Sequence, residues 1–387
     1  MLFDELGKIT TTEKGYRMAR ANVGVREGNW YWECKIISGV KPKLPNGEQP
    51  EPEGHVRLGW ARREASLDGP VGFDAYGYGL RDIAGQKVHM SRPKDFSPPG
   101  EDIKEGDVIG LEINLPSLSL HRKVVEGHYN KAVDVADDLE ATGAEAPDII
   151  RDRVPIRYKA HLYFEQFEYH STKELEDLMN PSPVVSTTSN MSTELPHPNH
   201  PIVSMRTLPF SCIKVYKNGE YVGTPFTDLL AFLPPASKPL PQVGARDGLD
   251  DGMLGYFPAI SVFRGGAAEV NFGPDFWYPP PSMTGDGDVN MADDATSVDH
   301  GAKIKELQPV GKRYNEQIAE DIVYDILDEV DFWMQDGGAS AETKPDSTDI
   351  AAAVPGAVGT EISKAETAAL GGNHVAGEIK EIVQEDE

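Results

Sequence analysis

The residues of this sequence that could do chemistry do not form a known catalytic motif. The patterns Gly-x-Ser-x-Gly, Gly-x-x-x-x-Gly-Lys and His-Glu-x-x-His are absent from the 387 residues, so no nucleophile elbow, phosphate loop or zinc helix is predicted. His197 and His200 lie in a proline-rich stretch, where we expect no acidic or cysteine partner and therefore a solvated loop. Glu33, Glu112 and Glu269 could supply the carboxylate pair of a glycosidase, but their spacing does not show whether two of them face each other. We expect no enzymatic activity, no metal ion and no cofactor.

Two arginines are better candidates for a binding function. Arg57 lies in the middle of an alternating apolar segment, on the face opposite to Val56 and Leu58, where a guanidinium is not expected unless a partner satisfies it. A planar guanidinium binds a carboxylate or a phosphate through two parallel hydrogen bonds. From the residues alone, two interpretations stay open for Arg57 and Arg81: pairing with acids of their own domain, or binding to a partner.

Alternating apolar residues indicate short strands through the first 280 residues. The period of two is clearest at Trp30, Trp32, Cys34 and Ile36, and it is typical of half-buried strands. It recurs near residues 56–60, 109–115, 162–164, 213–215, 260–262 and 268–272. Asn218-Gly219 between two apolar runs predicts a two-residue hairpin turn. Many short strands with glycine-rich turns predict an all-β fold, an antiparallel β-sandwich.

Three stretches are too polar or too rich in turn residues for a compact sandwich, and we expect them to be long loop inserts. They are residues 122–156, 180–207 and 234–253. The predicted organisation is a sandwich over residues 8–281, a flexible acidic linker over 282–312, a helix over 313–335 and a disordered acidic tail over 336–387.

An amphipathic helix is predicted after the linker. Apolar residues recur every three or four positions from residue 318 to residue 334, and acidic residues occupy the opposite side. An ordinary helix packed on the sandwich is one interpretation. The acidic linker and the wide apolar face favour the other, a helix that docks a partner.

The net charge of −26 is concentrated outside the predicted strands. Most of it lies in three segments: the net charge is −6 over residues 134–152, −5 over 282–300 and −8 over 336–387. Like charges keep such segments solvated, and sequence-independent DNA binding by the whole chain is not expected without a basic surface. The two cysteines, Cys34 and Cys212, favour a reducing intracellular compartment, and no apolar run is long enough to span a membrane.

Four short motifs, in this order along the chain, resemble the landmarks of a SPRY domain. They are Gly106-Asp107-Val108-Ile109-Gly110, Val215-Tyr216-Lys217-Asn218-Gly219, Phe257-Pro258-Ala259-Ile260-Ser261 and Val270-Asn271-Phe272-Gly273. Further segments resemble one SPRY branch, the Ash-two/Bre-two subunits of COMPASS-type histone methyltransferases. These are Glu13-Lys14-Gly15-Tyr16, Trp30-Tyr31-Trp32-Glu33, Arg57-Leu58-Gly59-Trp60 and Leu162-Tyr163-Phe164-Glu165. The resemblance covers about residues 8–280 and the helix near 316–333, and it implies a SPRY-type, concanavalin-like sandwich.

The resemblance also implies a function and partners. Members of this family are nuclear, non-catalytic scaffolds that bind an acidic segment of a WD-repeat subunit of the retinoblastoma-binding-protein-five or Swd-one type. With it they contact the SET-domain catalytic subunit and raise its methylation of the fourth lysine of histone H3. A helical dimer of the Dpy-thirty or Sdc-one type binds the C-terminal helix, and the nucleosome is contacted indirectly.

The family's binding positions can be carried over residue by residue. On the SPRY surface they fall on Tyr16, Arg57, Pro70, Phe73 and Arg81. On the helix they fall on Ala319, Ile322, Val323, Ile326 and Val330. Phe73 departs from the pattern, since animal members carry a tyrosine there, and the departure removes a hydroxyl that could form a hydrogen bond.

Animal members also carry an N-terminal zinc-finger-like and winged-helix region that the residues before position 8 do not encode. We therefore expect no intrinsic DNA binding. The alternative to a COMPASS-type scaffold is a generic SPRY adaptor that binds other client proteins. Such an adaptor would need neither the helix nor a SET-domain enzyme.

Overall fold

The computed structural model describes residues 1–42, 54–96, 101–134, 154–158, 161–165, 168–179, 194–240, 252–284 and 306–335. The strands are β1 (Leu2–Phe3), β2 (Ile9–Thr11), β3 (Arg17–Arg20), β4 (Gly28–Ser38), β5 (His55–Arg62), β6 (Gly77–Arg81), β7 (Lys87–His89), β8 (Arg92–Lys94), β9 (Val108–Leu115), β10 (Val154–Tyr158), β11 (His161–Glu165), β12 (Cys212–Lys217), β13 (Glu220–Thr227), β14 (Tyr256–Phe263), β15 (Ala267–Asn271) and β16 (Leu307–Pro309). The helices are α1 (Leu118–Glu126), α2 (Lys173–Met179), α3 (Pro281–Thr284) and α4 (Val310–Gln335). The chain divides into two units, Met1–Glu329 and Val330–Glu387.

Two sheets form the sandwich, and this confirms the predicted all-β fold. Sheet A has the order β1-β2-β15-β4-β9-β12-β13, with the short β16 running parallel to β4. Sheet B has the order β3-β14-β5-β6-β7-β8, and its strand pairs are antiparallel. Strands β10 and β11 form a separate hairpin.

The core lies between the sheets and is built from the alternating residues. On β4, Trp32, Cys34 and Ile36 are at most 1% exposed, and Leu58 of β5 and Leu111 of β9 pack in the same cluster. Burying one such side chain contributes about 1.5–3 kcal/mol. The predicted turn is also confirmed, because Asn218 and Gly219 join β12 to β13 with φ of +52° and +86°.

The outer face of sheet B is covered by a loop, residues 63–76, and by α2. Gly59 and Gly79 lie directly opposite each other on β5 and β6. A Cβ at Gly79 would lie 2.6 Å from the carbonyl oxygen of Val71, so the loop can rest on the sheet only because no side chain stands there. Val71 and Leu175 of α2 are fully buried in this outer layer.

Parts of the predicted inserts and linker are ordered elements of the fold. Helix α1 begins inside the apolar run before residue 122, with Ser117 as its N-cap and Gly127 in the left-handed conformation at its C-terminal end. His200 and Ser237, from the other two predicted inserts, are buried. Helix α4 begins at Val310, three residues before the predicted start, after β16 has paired with β4. The predicted tail over 336–387 lies outside the described residues. None of the described helices is both long and apolar enough to cross a membrane.

Candidate functional site

Arg57 and Arg81 are cross-strand neighbours on the outer face of sheet B. Arg57 on β5 is paired with Arg81 on β6 and, on its other side, with Ser261 on β14. Directly opposite residues of an antiparallel pair share a face. Residues of the next row on this face are Phe263 and His55, which are also paired.

Two stacked aromatic rings support the Arg57 guanidinium. Tyr16 stacks on Phe263 with ring centroids 4.5 Å apart and planes 13° from parallel, and the Arg57 guanidinium carbon lies 5.0 Å from the Tyr16 ring centroid. Burial lowers the pKa of the Arg57 guanidinium, and the contact with Tyr16 opposes that shift. Cation–π contacts of this kind contribute about 0.5–2 kcal/mol, so the stack orients the guanidinium.

Neither arginine forms a direct ion pair within the described residues, although the charge of Asp82 opposes the lowering of the pKa of Arg57. Arg81 donates to the side-chain oxygen of Gln86 at 3.3 Å, and neither arginine forms an ion pair with an acid of the described part of the chain. The nearby carboxylate of Asp82 accepts hydrogen bonds from the Val56 amide at 3.0 Å and the Ile83 amide at 2.9 Å. It also lies 3.1 Å from the His55 ring nitrogen Nδ1. The buried Nε of Arg57 has no hydrogen-bond partner among these residues.

Pro70 and Phe73 lie in the loop that crosses this face. The Val71 amide donates to the Ser261 hydroxyl at 3.0 Å, and this bond fixes the loop beside the strand position opposite Arg57. The Phe73 amide donates to the Pro70 carbonyl at 2.9 Å, which forms a turn and leaves the Phe73 ring 46% exposed. The exposed Phe73 side chain therefore lies on the loop that is fixed to the strand next to Arg57, and an exposed aromatic side chain of this kind is suited to contact the apolar part of a peptide.

Phe263, His55 and the buried Ser261 lie on this face of sheet B as well, although they are not among the predicted binding residues. Ser261 and Phe263 alternate with the buried Ile260 and Val262 of β14, so their shared face could have been inferred from the strand period. Their position next to Arg57 could not have been inferred, because the order of strands in a sheet does not follow from one sequence.

Helix α4 presents an exposed apolar stripe. Ile322, Val323, Ile326 and Val330 are each between 51% and 56% exposed, and Ala319 is exposed as well. The start of the helix is anchored, since Val310 is buried in the core and the Gly311 amide donates to the Phe272 carbonyl at 2.8 Å. The carboxylate of Glu320 accepts two hydrogen bonds of 2.8 Å from Arg313.

The strand carboxylates have structural partners. Glu33 is fully buried and accepts hydrogen bonds from the Trp277 and Tyr278 amides at 2.7 and 2.9 Å. Burial raises the pKa of the Glu33 carboxyl, and the hydrogen bonds from these amides oppose that shift. Glu112 accepts from Tyr216 at 2.7 Å and from Lys214 at 2.8 Å. These contacts occupy both carboxylates within the protein.

The histidine loop contains an acidic neighbour that we did not expect. Ligand-type atoms of Glu194, His197 and His200 lie within 4.8 Å of one another, so the expectation that the histidines lack an acidic partner is wrong. The ring nitrogen Nδ1 of His197 accepts from the Asn199 amide at 3.2 Å, and that of His200 accepts from the Ile202 amide at 3.0 Å. Each Nε2 therefore carries the proton in the neutral ring, whereas a histidine that binds a metal usually donates its other N–H. The buried Nε2 of His200 has no hydrogen-bond partner among the described residues.

Comparison with known proteins found several COMPASS-related relatives. COMPASS component cclA of Colletotrichum higginsianum is 62% identical over 345 residues, which cover 87% of this chain and 61% of that protein. Set1 complex component ash2 of Schizosaccharomyces pombe is 41% identical over 334 residues, which cover 86% of this chain and 40% of that protein. COMPASS component BRE2 of Saccharomyces cerevisiae is 28% identical over 412 residues, which cover 82% of this chain and 76% of that protein.

The chain thus spans about three fifths of the length of the Colletotrichum relative and less of the Schizosaccharomyces one. No family model matches the chain. A crystal structure of a human SPRY domain aligns with a TM-score of 0.31 at 12% identity, over 71% of this chain and 96% of that one.

Proposed function

Because this chain belongs to the family of COMPASS components that includes cclA, ash2 and BRE2, we propose that it is a non-catalytic subunit of a nuclear histone methyltransferase complex. In this proposal it helps a SET-domain enzyme to methylate the fourth lysine of histone H3. The names of the relatives, COMPASS component and Set1 complex component, support this assignment. The engagement of Glu33 and Glu112 by internal hydrogen bonds supports a role without catalysis.

The surface around Arg57 is proposed to bind an acidic segment of the WD-repeat subunit. The observation that carries this step is the stacked, partly desolvated Arg57 guanidinium, which forms no ion pair with a carboxylate in the described part of the chain. A carboxylate from a partner could bridge Arg57 and Arg81, which are directly opposite each other. Tyr16, Pro70 and Phe73 would then contact the apolar residues of the same segment.

The stripe on α4 is proposed to dock a helical dimer of the Dpy-thirty type. Its exposed residues have the spacing of an amphipathic helix that lies in an apolar groove. The anchored start of the helix, from Val310 to Arg313, supports this role because it limits the conformational entropy lost when the dimer binds.

One experiment tests the proposal with another arginine of sheet B as the control. The full chain is added to a SET-domain subunit and a WD-repeat subunit, and methylation of histone H3 is measured together with the affinity for an acidic peptide of the WD-repeat subunit. We expect Arg57→Ala to weaken the peptide at least about tenfold, since losing one partner of a desolvated charge pair costs about 2–5 kcal/mol. Arg17→Ala should change little, because Arg17 is 55% exposed and pairs with Asp68.

Two results would count against the proposal. Peptide affinity that is unchanged by Arg57→Ala would remove Arg57 from the site. Normal peptide binding without stimulation of methylation would favour the generic SPRY adaptor.

A further inference from the structure

The turn that follows β14 carries an arginine in a backbone conformation that arginine seldom adopts. The Gly266 amide donates to the Phe263 carbonyl at 3.0 Å, and φ is +47° at Arg264 and +82° at Gly265. Positive φ at both central residues is the pattern of a type I′ turn, for which Asn-Gly is the preferred sequence. Asn218-Gly219 of this chain has that sequence, with φ of +52° and +86°. Position 264 therefore holds an arginine where the backbone favours an asparagine.

This turn is fixed beside the aromatic stack that supports Arg57. The Arg264 amide donates to the Lys14 carbonyl at 3.3 Å, and the Gly265 amide donates to the Thr12 carbonyl at 2.6 Å. Tyr16, which belongs to the stack, follows Lys14 by two residues. Because backbone hydrogen bonds join the turn to this segment, the fold itself sets the position of Arg264 relative to the stack.

The Arg264 guanidinium lies against the second ring of the stack. Its carbon is 5.0 Å from the Phe263 ring centroid, just as the Arg57 guanidinium carbon is 5.0 Å from that of Tyr16. The two centroids are 4.5 Å apart, so these three distances limit the separation of the two guanidinium groups. The Arg264 side chain is exposed and forms no ion pair with an acid among the described residues. One stack therefore carries two cations that lack a direct partner of opposite charge in this part of the chain.

We propose that Arg264 is a second anion-binding residue of the surface around Arg57, and that it determines which acidic segments bind there. The inference rests on the proposed function, because it concerns the segment that Arg57 binds. An extended peptide advances about 3.3 Å per residue, and its alternate side chains share a side. An acid two or four positions from the one at Arg57 is displaced by about 7 or 13 Å, within the limit that the stack sets. The surface then selects segments that carry two acids at this spacing.

The proposed role accounts for the arginine at position 264. A guanidinium binds a carboxylate through two parallel hydrogen bonds, whereas an asparagine side chain is shorter and carries no charge. Asparagine is, however, the residue that the left-handed turn position favours. Arg264→Asn therefore separates the two properties, since it should preserve the turn and remove the anion-binding group.

The first test measures affinity and stability together in the full chain. Isothermal titration at low salt uses the acidic peptide of the WD-repeat subunit, and thermal unfolding gives the melting temperature. We expect Arg264→Asn to bind the peptide about threefold to fivefold more weakly, the range of an exposed ion pair, with an unchanged or higher melting temperature. High salt should reduce this difference in affinity. Arg122→Gln removes an exposed arginine from α1 and should bind like the parent chain.

Unchanged affinity of Arg264→Asn overturns the inference, and a lowered melting temperature together with unchanged affinity would show that the arginine is structural. If Arg57→Ala weakens the peptide and Arg264→Asn does not, only the role of Arg264 fails. If Arg57→Ala has no effect, the proposed function and this inference fail together.

A second test locates the two acids on the peptide. Each acid is replaced in turn by its amide, and the effect is compared in the parent chain, in Arg57→Ala and in Arg264→Asn as double-mutant cycles. We expect one acid to lose its effect in Arg57→Ala, and a different acid, two or four positions away, to lose its effect in Arg264→Asn. Coupling of one and the same acid to both arginines, or of none to Arg264, contradicts the assignment.

Discussion

Two arginines on one strand show how a structural residue differs from a binding residue. Arg62, at the end of β5, is fully buried. It pairs with Glu64 and donates to the Ala231 carbonyl and the Ser237 hydroxyl, both at 2.8 Å. Burial would raise the pKa of the Glu64 carboxyl, but the Arg62 charge holds it below its ordinary value. Arg57, five residues earlier, is desolvated without such a carboxylate.

This difference predicts different effects of the same substitution on stability. Arg62→Met should lower the free energy of unfolding by about 3–5 kcal/mol, because it leaves Glu64 buried and unpaired. Arg57→Met should change the free energy of unfolding by no more than about 1 kcal/mol, because removal of a partly buried charge offsets the loss of the contact with Tyr16. Urea unfolding of both variants measures this, and a loss above about 2 kcal/mol for Arg57→Met would show that Arg57 is structural.

At the scale of elements, the strands could be predicted because their signal is local. The alternation on β4, β5 and β9 and the Asn218-Gly219 turn each specify their own backbone conformation. Helix α1 was missed although Ser117 and Gly127 are ordinary helix-boundary residues, because its start follows the alternating run of β9. The burial of Ser237 could not be predicted, since it depends on the distant Arg62–Glu64 pair.

The grouping of residues in the candidate site, like the burial of Ser237, could not be predicted from local sequence patterns. A family resemblance predicts Tyr16, Arg57, Pro70, Phe73 and Arg81 as binding residues. Spacing alone could not group them, because they lie on a loop and on strands whose order in the sheet is not their order in the sequence. Phe263 completes the stack under Arg57, and a motif search does not find it because it follows the Phe-Pro-Ala-Ile-Ser motif by two residues.

The stripe on α4 gives a prediction at the same scale. Ile322→Glu should abolish binding of a Dpy-thirty-type dimer without changing the stability of the sandwich, because the Ile322 side chain is 56% exposed and a charge in an apolar groove is costly. Ile322→Leu is the matched control and should bind nearly as well as the parent chain. Isothermal titration with the purified dimer and thermal unfolding measure the two effects. A drop in melting temperature for Ile322→Glu would instead indicate that the stripe packs on its own protein.

At the scale of the whole molecule, the buried acids of the sandwich have partners within the protein, as do bases such as Arg62 and Lys214, whereas Arg57 and Arg81 form no ion pair among the described residues. Glu33, Glu64, Asp82 and Glu112 are buried and accept hydrogen bonds from backbone amides or from neighbouring side chains. Arg57 and Arg81 have no such partner of opposite charge among the described residues. A chain with a net charge of −26 therefore has a local surface that is suited to an acidic partner, which its overall charge would not suggest.

His89 and the fully buried His121 make the stability of the sandwich sensitive to acid. Burial lowers the pKa of His89 to about 4, and burial together with nearby arginines holds the pKa of His121 well below its ordinary value. Nε2 of His121 accepts from the Phe232 and Leu233 amides at 3.1 and 3.2 Å, which requires that nitrogen to be unprotonated. The His89 ring stacks on Tyr78, with centroids 4.3 Å apart.

The sign of the pH effect follows from these lowered pKa values. In the unfolded chain both histidines titrate near 6.5, so below that pH the unfolded state binds more protons and stability falls. For His89 the loss grows by about 1.4 kcal/mol per pH unit until the pH approaches 4, and it reaches about 2 kcal/mol at pH 5. Burial raises the pKa values of Glu33 and Asp74, and these raised values increase stability as the pH falls. The contribution of the histidines to the pH dependence of stability must therefore be isolated by substitution. Urea unfolding at pH 7.5 and pH 5 should show a smaller pH dependence for His89→Gln and for His121→Gln than for the parent chain. Equal pH dependence in all three would show that neither histidine is held neutral by the fold.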